Sequence, residues 1–461
     1  MSTVIDEIRK LVGETGVLTG DDVTARHASW VRNTPMIAAA IVRPANTKEV
    51  AAVLELCHKT DQSVVPLGGN TGLVEGATST ENDIVLSLER MNSVESLDAA
   101  GATMTVQAGL VLQAAKDNAS EAGFMFAMDF GARGSATIGG CIATNAGGNG
   151  VIRYGMMREQ VLGLEVVLAD GTVLSSMNRM LKNNAGYDLK QLFIGTEGTL
   201  GVVTRAVLRL RPELRSQNTA LAAVDDYEKV PLLLQQLGSA LGGTLSAFEV
   251  LWADFYDAVL DGSDQHAPPV SRGYPFYVLA EARGGDQEAD AMRFQGALEE
   301  ALAAGLIVDA SFATNLQQRE AMWAIRDDIP NLAEQLEPMI VFDVSLPISV
   351  AADYAAGVHE RLRERWSDTY RGTTFGHLGD GNLHFLMTVG SDDHDEHQAV
   401  MEVVYSELQP YGGSISAEHG IGLEKRPFLH YSRSDVEVAM MQRLKNALDP
   451  KGILNPGKIF L

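Results

Sequence analysis

Three segments of this chain are so rich in glycine that no long helix or strand can run through them: PLGGNTG (66–72), GARGSATIGGCIATNAGGNG (131–150) and GTEGTLG (195–201). Glycine inside a regular element costs roughly 0.5–1 kcal/mol relative to alanine, so such runs belong where the backbone turns sharply or approaches something closely. Positions without side chains also let successive backbone N–H groups turn toward an anion, giving a phosphate nest without fixed positive charge. One such loop is ordinarily a turn and nothing more. Three in the first half of one chain shift the reading toward a diphosphate-binding domain.

The familiar phosphate motifs are missing. None of the loops is the GxGxxG of a dinucleotide-binding βαβ unit. GILNPGKI (452–459) has the spacing of a GxxxxGK loop, but Ile459 stands where Ser or Thr should hold magnesium.

The formal charge of −24 over 461 residues, with no basic run, argues against a nucleic-acid partner or an anionic membrane surface. An anionic substrate must then be held by a few placed cations or by a metal. With 46% hydrophobic residues the chain can bury a large core, and its length suggests two or three domains. No stretch has the apolar length of an integral membrane segment. The opening MSTVIDEIRKLVGETG predicts an amphipathic helix, not an export signal. Cys57 and Cys141 form neither a disulfide framework nor a metal-spaced pair, and read as buried thiols. Both features suit a cytoplasmic protein.

The pattern of elements is α+β. TKEVAAVLELCHK predicts a helix from about Thr47, with an N-cap residue at its start, followed by a short strand entering the first glycine loop. DIVLSL and ATMTVQAG predict strands, LVLQAAKDNASEAG a helix, and LGLEVVLADGTVLSS a hairpin about Asp170 and Gly171. This part ends near Arg211 and Pro212. A second domain at 213–412 has longer helices such as TNLQQREAMWAIRDDI between strands such as YPFYVLAEA and MIVFDVSLPI. The tail 413–461 carries a helix, DVEVAMMQRLKNAL, and then an extended ILNPGKIF.

GHLGDGNLH (376–384) raises the possibility of a metal centre. If Asp380 and Gly381 form a two-residue hairpin turn, His377 faces His384, with Cβ atoms roughly 5 Å apart on one face. Two imidazoles can then converge on one ion. In SISAEHGIG, Glu418 and His419 adjoin between flexible residues, and two histidines with one carboxylate suit a divalent zinc, manganese or iron centre with open positions. The plainer alternative is that the pair merely packs or faces solvent, as is expected of His266, His394 and His397 in their polar segments.

VVPLGGNTGL, GSATIGGCIATNAGG, FIGTEGTLGVVT, GHLGDGNLH, SAEHGIGLEKRPFL and LDPKGILNPGKIF, in this order and spanning nearly the whole chain, make the sequence similar to the FAD-linked D-2-hydroxy-acid dehydrogenases. That family includes D-lactate, glycolate and D-2-hydroxyglutarate dehydrogenases. The resemblance implies a two-subdomain FAD-binding domain of vanillyl-alcohol-oxidase type (1–212) and an antiparallel-sheet-and-helix cap domain (213–412), with 413–461 returning to the FAD domain. It implies that Pro66, Gly68, Gly69, Asn70, Thr71, Gly72 and Leu73 wrap the FAD diphosphate. Gly134, Ser135, Thr137, Ile138, Gly139, Gly140, Ala143, Thr144, Asn145, Gly147 and Gly148 would line the flavin. Glu197, Gly201, Val202 and Val203 would complete the cofactor site, and Asn455 would return to the ring. No histidine occupies the first loop, so the FAD is expected to be non-covalent.

By the same resemblance His377, His384 and Glu418 hold a divalent metal, zinc or manganese, His419 acts as the base, and Arg326 binds the substrate carboxylate. The alternative for Arg326 is a surface pair with Asp327 or Asp328. Lys425 and Arg426, just after the Glu418 loop, are further candidates to face the site, weighed below Arg326 because charged residues after a loop are usually exposed. The D-2-hydroxyglutarate branch is expected to hold its distal carboxylate with a Thr, a Lys and an Asn. Ungapped counting places Pro330, Val341 and Leu386 there, which favours a monocarboxylate such as D-lactate, with D-2-hydroxyglutarate as the alternative. The acceptor would be an electron-transferring flavoprotein or a quinone, and a homodimer stays open. Two rival readings remain: a flavin-free hydrolase or oxygenase built on His377, His384 and Glu418, and a flavin-binding protein without catalysis.

Overall fold

A computed structural model describes residues 2–29, 34–263 and 265–460. The chain divides into two compact units, one of 1–147, 155–213 and 418–461, the other of 148–154 and 214–417.

The first unit is built on two sheets. One has strands in the order Val17–Leu18, Ala40–Val42, Ile84–Ser87 and Val64–Leu67, the last three mutually parallel. The other is antiparallel, in the order Val94–Asp98, Thr103–Gln107, Val202–Arg209, Val161–Val167 and Val173–Ser176. The helix Thr47–Lys59 starts as expected, although the cap is Asn46, whose side chain accepts from Glu49 N. Its buried residues, Val50, Val53, Leu54 and Cys57, follow helical spacing and join residues of both sheets in one core. The hairpin about Asp170 and Gly171 forms, with Val167 opposite Val173. Both cysteines are free and buried, and burial pushes each thiol up to about 12.

The tail departs from expectation. Helix Asp435–Leu448 carries a capping box between Ser434 and Glu437, but beyond it the chain runs through a series of turns, with φ of +44° at Asn455, +74° at Gly457 and +70° at Ile459. The buried Asp449 causes this. Its carboxylate accepts from the amides of Ile453 (3.1 Å) and Leu454 (2.8 Å) and bends the chain back, so that Leu454 bridges to Val64.

The second unit is a seven-stranded antiparallel sheet in the order Asp309–Phe312, Ser216–Val224, Phe276–Gly284, Leu245–Trp252, Arg371–Gly376, Asn382–Thr388 and Ile340–Ser345. Its helices include Leu316–Asp327, capped by Asn315, whose side chain accepts from Gln318 N at 2.9 Å. Two boundaries differ from the sequence expectation. Ser345 and Ser414 exchange backbone hydrogen bonds (3.0 and 2.7 Å), tying 413–417 to this unit. Residues 148–154 also belong here, because Arg153 donates to the carbonyls of Thr244 and Arg283. No helix among the described residues is long and apolar enough to cross a membrane.

Candidate active site

In the first unit the glycine segments touch one another. Strand Val64–Leu67 delivers the chain to Gly68 and Gly69. A Cβ on Gly69 would collide with the carbonyl oxygen of Ser135, and one on Gly68 would lie 2.8 Å from Thr137 Oγ1. Thr137 caps the helix Ile138–Thr144, accepting from Gly140 N at 3.3 Å. Asn145 ends that helix in the left-handed region, φ +50°. The third segment closes on the same helix end, with Gly195 N donating to Ile142 O (3.0 Å) and Glu197 N to Ala143 O (2.8 Å). Gly139 packs against Ala108, and Gly201 leads past Val166 and Phe193 into Val202 and Val203. Thr71, Gly72 and Leu73 continue the first loop with partial or full exposure, as does Gly134 in the second. A cavity of about 510 Å³ opens beside Gly68, Gly69 and Asn70, bounded also by Arg26, His27 and Glu89.

Glu197 takes a part that its place in the motif does not announce. Its carboxylate accepts from the amides of Ile421 (2.7 Å) and Gly422 (2.8 Å), clamping the segment just after Glu418 and His419. Burial pushes this carboxyl up, against the pull of those amides and of Lys425. Lys425 is itself buried, contrary to the expectation of an exposed residue, while Arg426 donates to Gly457 O. Asn455 Nδ2 donates to the carbonyls of Gly76 (3.0 Å) and Glu197 (2.7 Å). Its Oδ1 is buried with no hydrogen-bond partner among the described residues, an acceptor left open for a ligand donor. Gly147 makes room for Glu418, since a Cβ there would strike the carboxylate.

In the second unit the two histidines do come together, their ring centroids 5.2 Å apart. The register expected from the sequence is two residues off. Phe375, not His377, stands opposite His384. The turn is longer than two residues, with His377 O accepting from both Asp380 N (3.1 Å) and Asn382 N (3.3 Å) and Gly381 at φ +84°. Gly379 N is drawn to Phe248 O (3.1 Å) in another strand, which fixes this wider loop. Because side chains alternate with period two, a shift of two keeps both imidazoles on one face.

Two carboxylates missed in the sequence support them. Glu249, fully buried, accepts from His377 Nδ1 at 2.7 Å and from Arg326 Nε at 2.9 Å. Burial would raise its carboxyl, but the facing charges of His377 and Arg326 and their hydrogen bonds outweigh that and hold it at about 2. Asp343 stands opposite His384 in the sheet, its Oδ1 3.9 Å from His384 Nδ1. It also accepts from Asn382 Nδ2 (2.9 Å), Ser416 Oγ (3.3 Å) and Ala417 N (3.1 Å). Glu418 and His419 follow that anchored Ala417 directly along the chain. Asn382 Oδ1, in the same hairpin, is buried without a partner among the described residues.

Arg326 is 8% exposed. Its weak contact with Asp327 (3.4 Å) is secondary to Glu249, and its Nη2 lies 3.2 Å from His377 Nε2. The guanidinium sits over Phe375, 5.0 Å from the ring centroid. One turn back on the same helix, Trp323 Nε1 donates to the buried Glu281 (2.9 Å). Beyond His384 and Asp343 the next facing pair on the same side is Leu386 with Val341, packed with Met322, Ile325 and Leu332 from the Arg326 helix and its successor.

Comparison with known proteins covers almost the entire chain. Residues 38–176 match the family described as FAD binding domain, and residues 213–459 match FAD linked oxidases, C-terminal domain. The chain is 38% identical over 432 residues to a mitochondrial D-2-hydroxyglutarate dehydrogenase of Rattus norvegicus, covering 94% of this chain and 80% of that one. It is 39% identical to a D-2-hydroxyglutarate dehydrogenase of Xanthomonas citri pv. viticola, covering 94% and 91%. A Schizosaccharomyces pombe protein with the provisional name D-lactate dehydrogenase is 36% identical, covering 95% and 84%. Among solved structures, p-cresol methylhydroxylase matches with a TM-score of 0.78 at 16% identity, over 99% of this chain and 96% of that one. Alkyldihydroxyacetonephosphate synthase gives 0.75 at 18%, over 99% and 86%. At such identities these two speak for the fold alone, that of vanillyl-alcohol-oxidase-type flavin enzymes.

Proposed function

Because the chain belongs to the FAD-linked D-2-hydroxy-acid dehydrogenases, and is therefore an FAD-dependent oxidoreductase of 2-hydroxy acids, we propose that its substrate is a D-2-hydroxy monocarboxylate such as D-lactate, oxidised to the 2-oxo acid with the help of a divalent cation. The glycine loops and the open acceptor on Asn455 fit a non-covalent FAD. His377, with Nδ1 committed to Glu249, His384 beside Asp343, and Glu418 fit zinc or manganese by donor chemistry. When bound, FAD supplies a hydride acceptor at its N5 and the cation supplies Lewis acidity toward the hydroxy acid.

The chain's own residues do the rest. Arg326, buried and oriented by Glu249, offers a planar cation to the C1 carboxylate. His419 takes the C2 hydroxyl proton as the C2 hydrogen leaves as hydride. Phe375, beneath the guanidinium, and the Leu386–Val341 pair next to His384 and Asp343 in the sheet give that surface apolar neighbours. The electrons leave to an electron-transferring flavoprotein or a quinone.

The observation that carries the substrate preference is the Leu386–Val341 pair where a second carboxylate would need partners. Burying an unpaired carboxylate costs several kcal/mol. A second reading, D-2-hydroxyglutarate, is favoured by the names of the Rattus and Xanthomonas relatives. Anaerobic mixing of the yellow holoprotein with D- and L-2-hydroxy acids, with and without a chelator, tests both. The expected result is bleaching of the flavin band by D-lactate faster than by D-2-hydroxyglutarate, lost after chelation. Faster bleaching by D-2-hydroxyglutarate would overturn the monocarboxylate preference, and bleaching indifferent to chelator would overturn the cation.

A further inference from the structure

Glu249 sits in the middle of strand Leu245–Trp252, and its two oxygens serve two different residues of the proposed site. One accepts from His377 Nδ1 (2.7 Å), the other from Arg326 Nε (2.9 Å), partners that lie 128 and 77 positions away in the sequence. A fully buried carboxylate is expensive to keep ionised, and an apolar residue of similar volume often serves stability as well or better. The retained charge therefore calls for a task beyond filling space.

The two hydrogen bonds define that task. An imidazole that donates Nδ1–H to a carboxylate presents Nε2 as a lone pair, and the contact makes that nitrogen more basic. A guanidinium gripped at Nε can no longer swing about its long side chain. The two consequences meet at one place, since Arg326 Nη2 donates to that Nε2 lone pair at 3.2 Å, a hydrogen bond that a cation bound at Nε2 would replace. We propose that Glu249 is the positioning residue of the site: it fixes His377 as the Nδ1–H tautomer with Nε2 presented to the cation, and aims Arg326 at the same locus, so that one side chain sets both cation binding and carboxylate binding. This rests on the reading of His377 and Arg326 given above.

Glutamine is the informative replacement. It keeps the volume but offers one acceptor and one donor where the site supplies two donors, so either Arg326 loses its partner or His377 is driven to the other tautomer. The experiment has two arms on FAD-replete protein. In the first, the unmodified protein with 15N-labelled histidine is examined by NMR, the His377 ring identified by its absence from His377→Gln. An Nδ1–H tautomer is expected, and an Nε2–H tautomer overturns the proposal. In the second, Glu249→Gln is stripped with a chelator and titrated with Zn²⁺ or Mn²⁺ by calorimetry, and its KM for D-lactate is measured. The expected result is cation affinity weakened about 10–100-fold and a raised KM, with the flavin band unchanged. A purely structural role would be met by the isosteric glutamine, so unchanged cation affinity and KM in a folded variant overturn the proposal. Should Glu249→Gln fail to fold, the tautomer of the unmodified protein decides. If the unmodified protein binds neither cation, the metal reading falls by itself, while the tautomer and the KM still judge Glu249.

Discussion

The glycine segments of the first unit meet mainly through backbone. Gly69 lies against the Ser135 carbonyl, Gly68 against Thr137, and the 195–197 segment hangs from the carbonyls of Ile142 and Ala143. In the second unit the meeting groups are buried charged and polar side chains, Glu249, Asp343 and His384 from strands, His377 from the loop after one, and Arg326 from a helix. At Gly69 the first arrangement tolerates no added atom, because a backbone carbonyl cannot move aside as a side-chain end can. The second is sensitive to loss of a partner, because the charge left behind stays buried and uncompensated unless further donors remain, as they do for Asp343. A diphosphate-bearing cofactor is served by the first kind of surface and a small acid by the second.

The sharpest way to break this contrast is Gly69→Ala. Its Cβ would overlap Ser135 O and demand a shift of one loop against the other, which typically costs about 1–3 kcal/mol. The expected outcome is purified protein without flavin absorbance, or none in solution. A yellow, normally stable Gly69→Ala protein would mean that the loop packing is not tied to the cofactor.

Next in size is His384→Ala. Asp343, left behind, keeps Asn382, Ser416 and Ala417, so the sheet stays intact. The protein should retain FAD, while turnover falls on the order of 10³-fold with the several kcal/mol that a bound cation contributes. Steady-state rates with flavin content as the control check this, and turnover near the unmodified level would remove His384 from the ligand set. His419→Ala should act through proton transfer alone. Flavin reduction by stopped flow is expected to slow about 10²–10⁴-fold with cation content near normal, and loss of the cation instead would reassign His419 as a ligand.

The same contrast explains what the sequence disclosed. Glycine loops and the GHLGDGNLH hairpin are local patterns, and Asn46, Thr137 and Asp170 act within a few residues of themselves. The two-residue difference in the hairpin register comes from a distant strand, through Phe248 O. Glu249 and Asp343 look like ordinary strand acids in FEVLW and VFDVS, since their partners lie far off in the chain. The signal that marks them is an acid flanked by apolar residues on both sides in a strand, for such a charge is buried and needs a reason. The tail escapes its sequence pattern for a related cause, because the grip of Asp449 on Leu454 opposes the extended preference of ILNPGKIF.

The smallest expected effect concerns the second unit's apolar pair, the half-buried Val341 opposite Leu386. Val341→Lys would place an ammonium on a flexible stem beside the apolar pair. The four-carbon stem can reach past the wall, so the fold should persist with a modest loss of stability. A second carboxylate would gain a partner, while a monocarboxylate would gain nothing and meet a more hydrated surface. The ratio of kcat/KM for D-2-hydroxyglutarate over that for D-lactate should then rise on the order of tenfold, about 1.4 kcal/mol. A ratio that stays constant, with FAD and cation content normal, would place the distal end of the substrate elsewhere and detach specificity from the Leu386–Val341 pair.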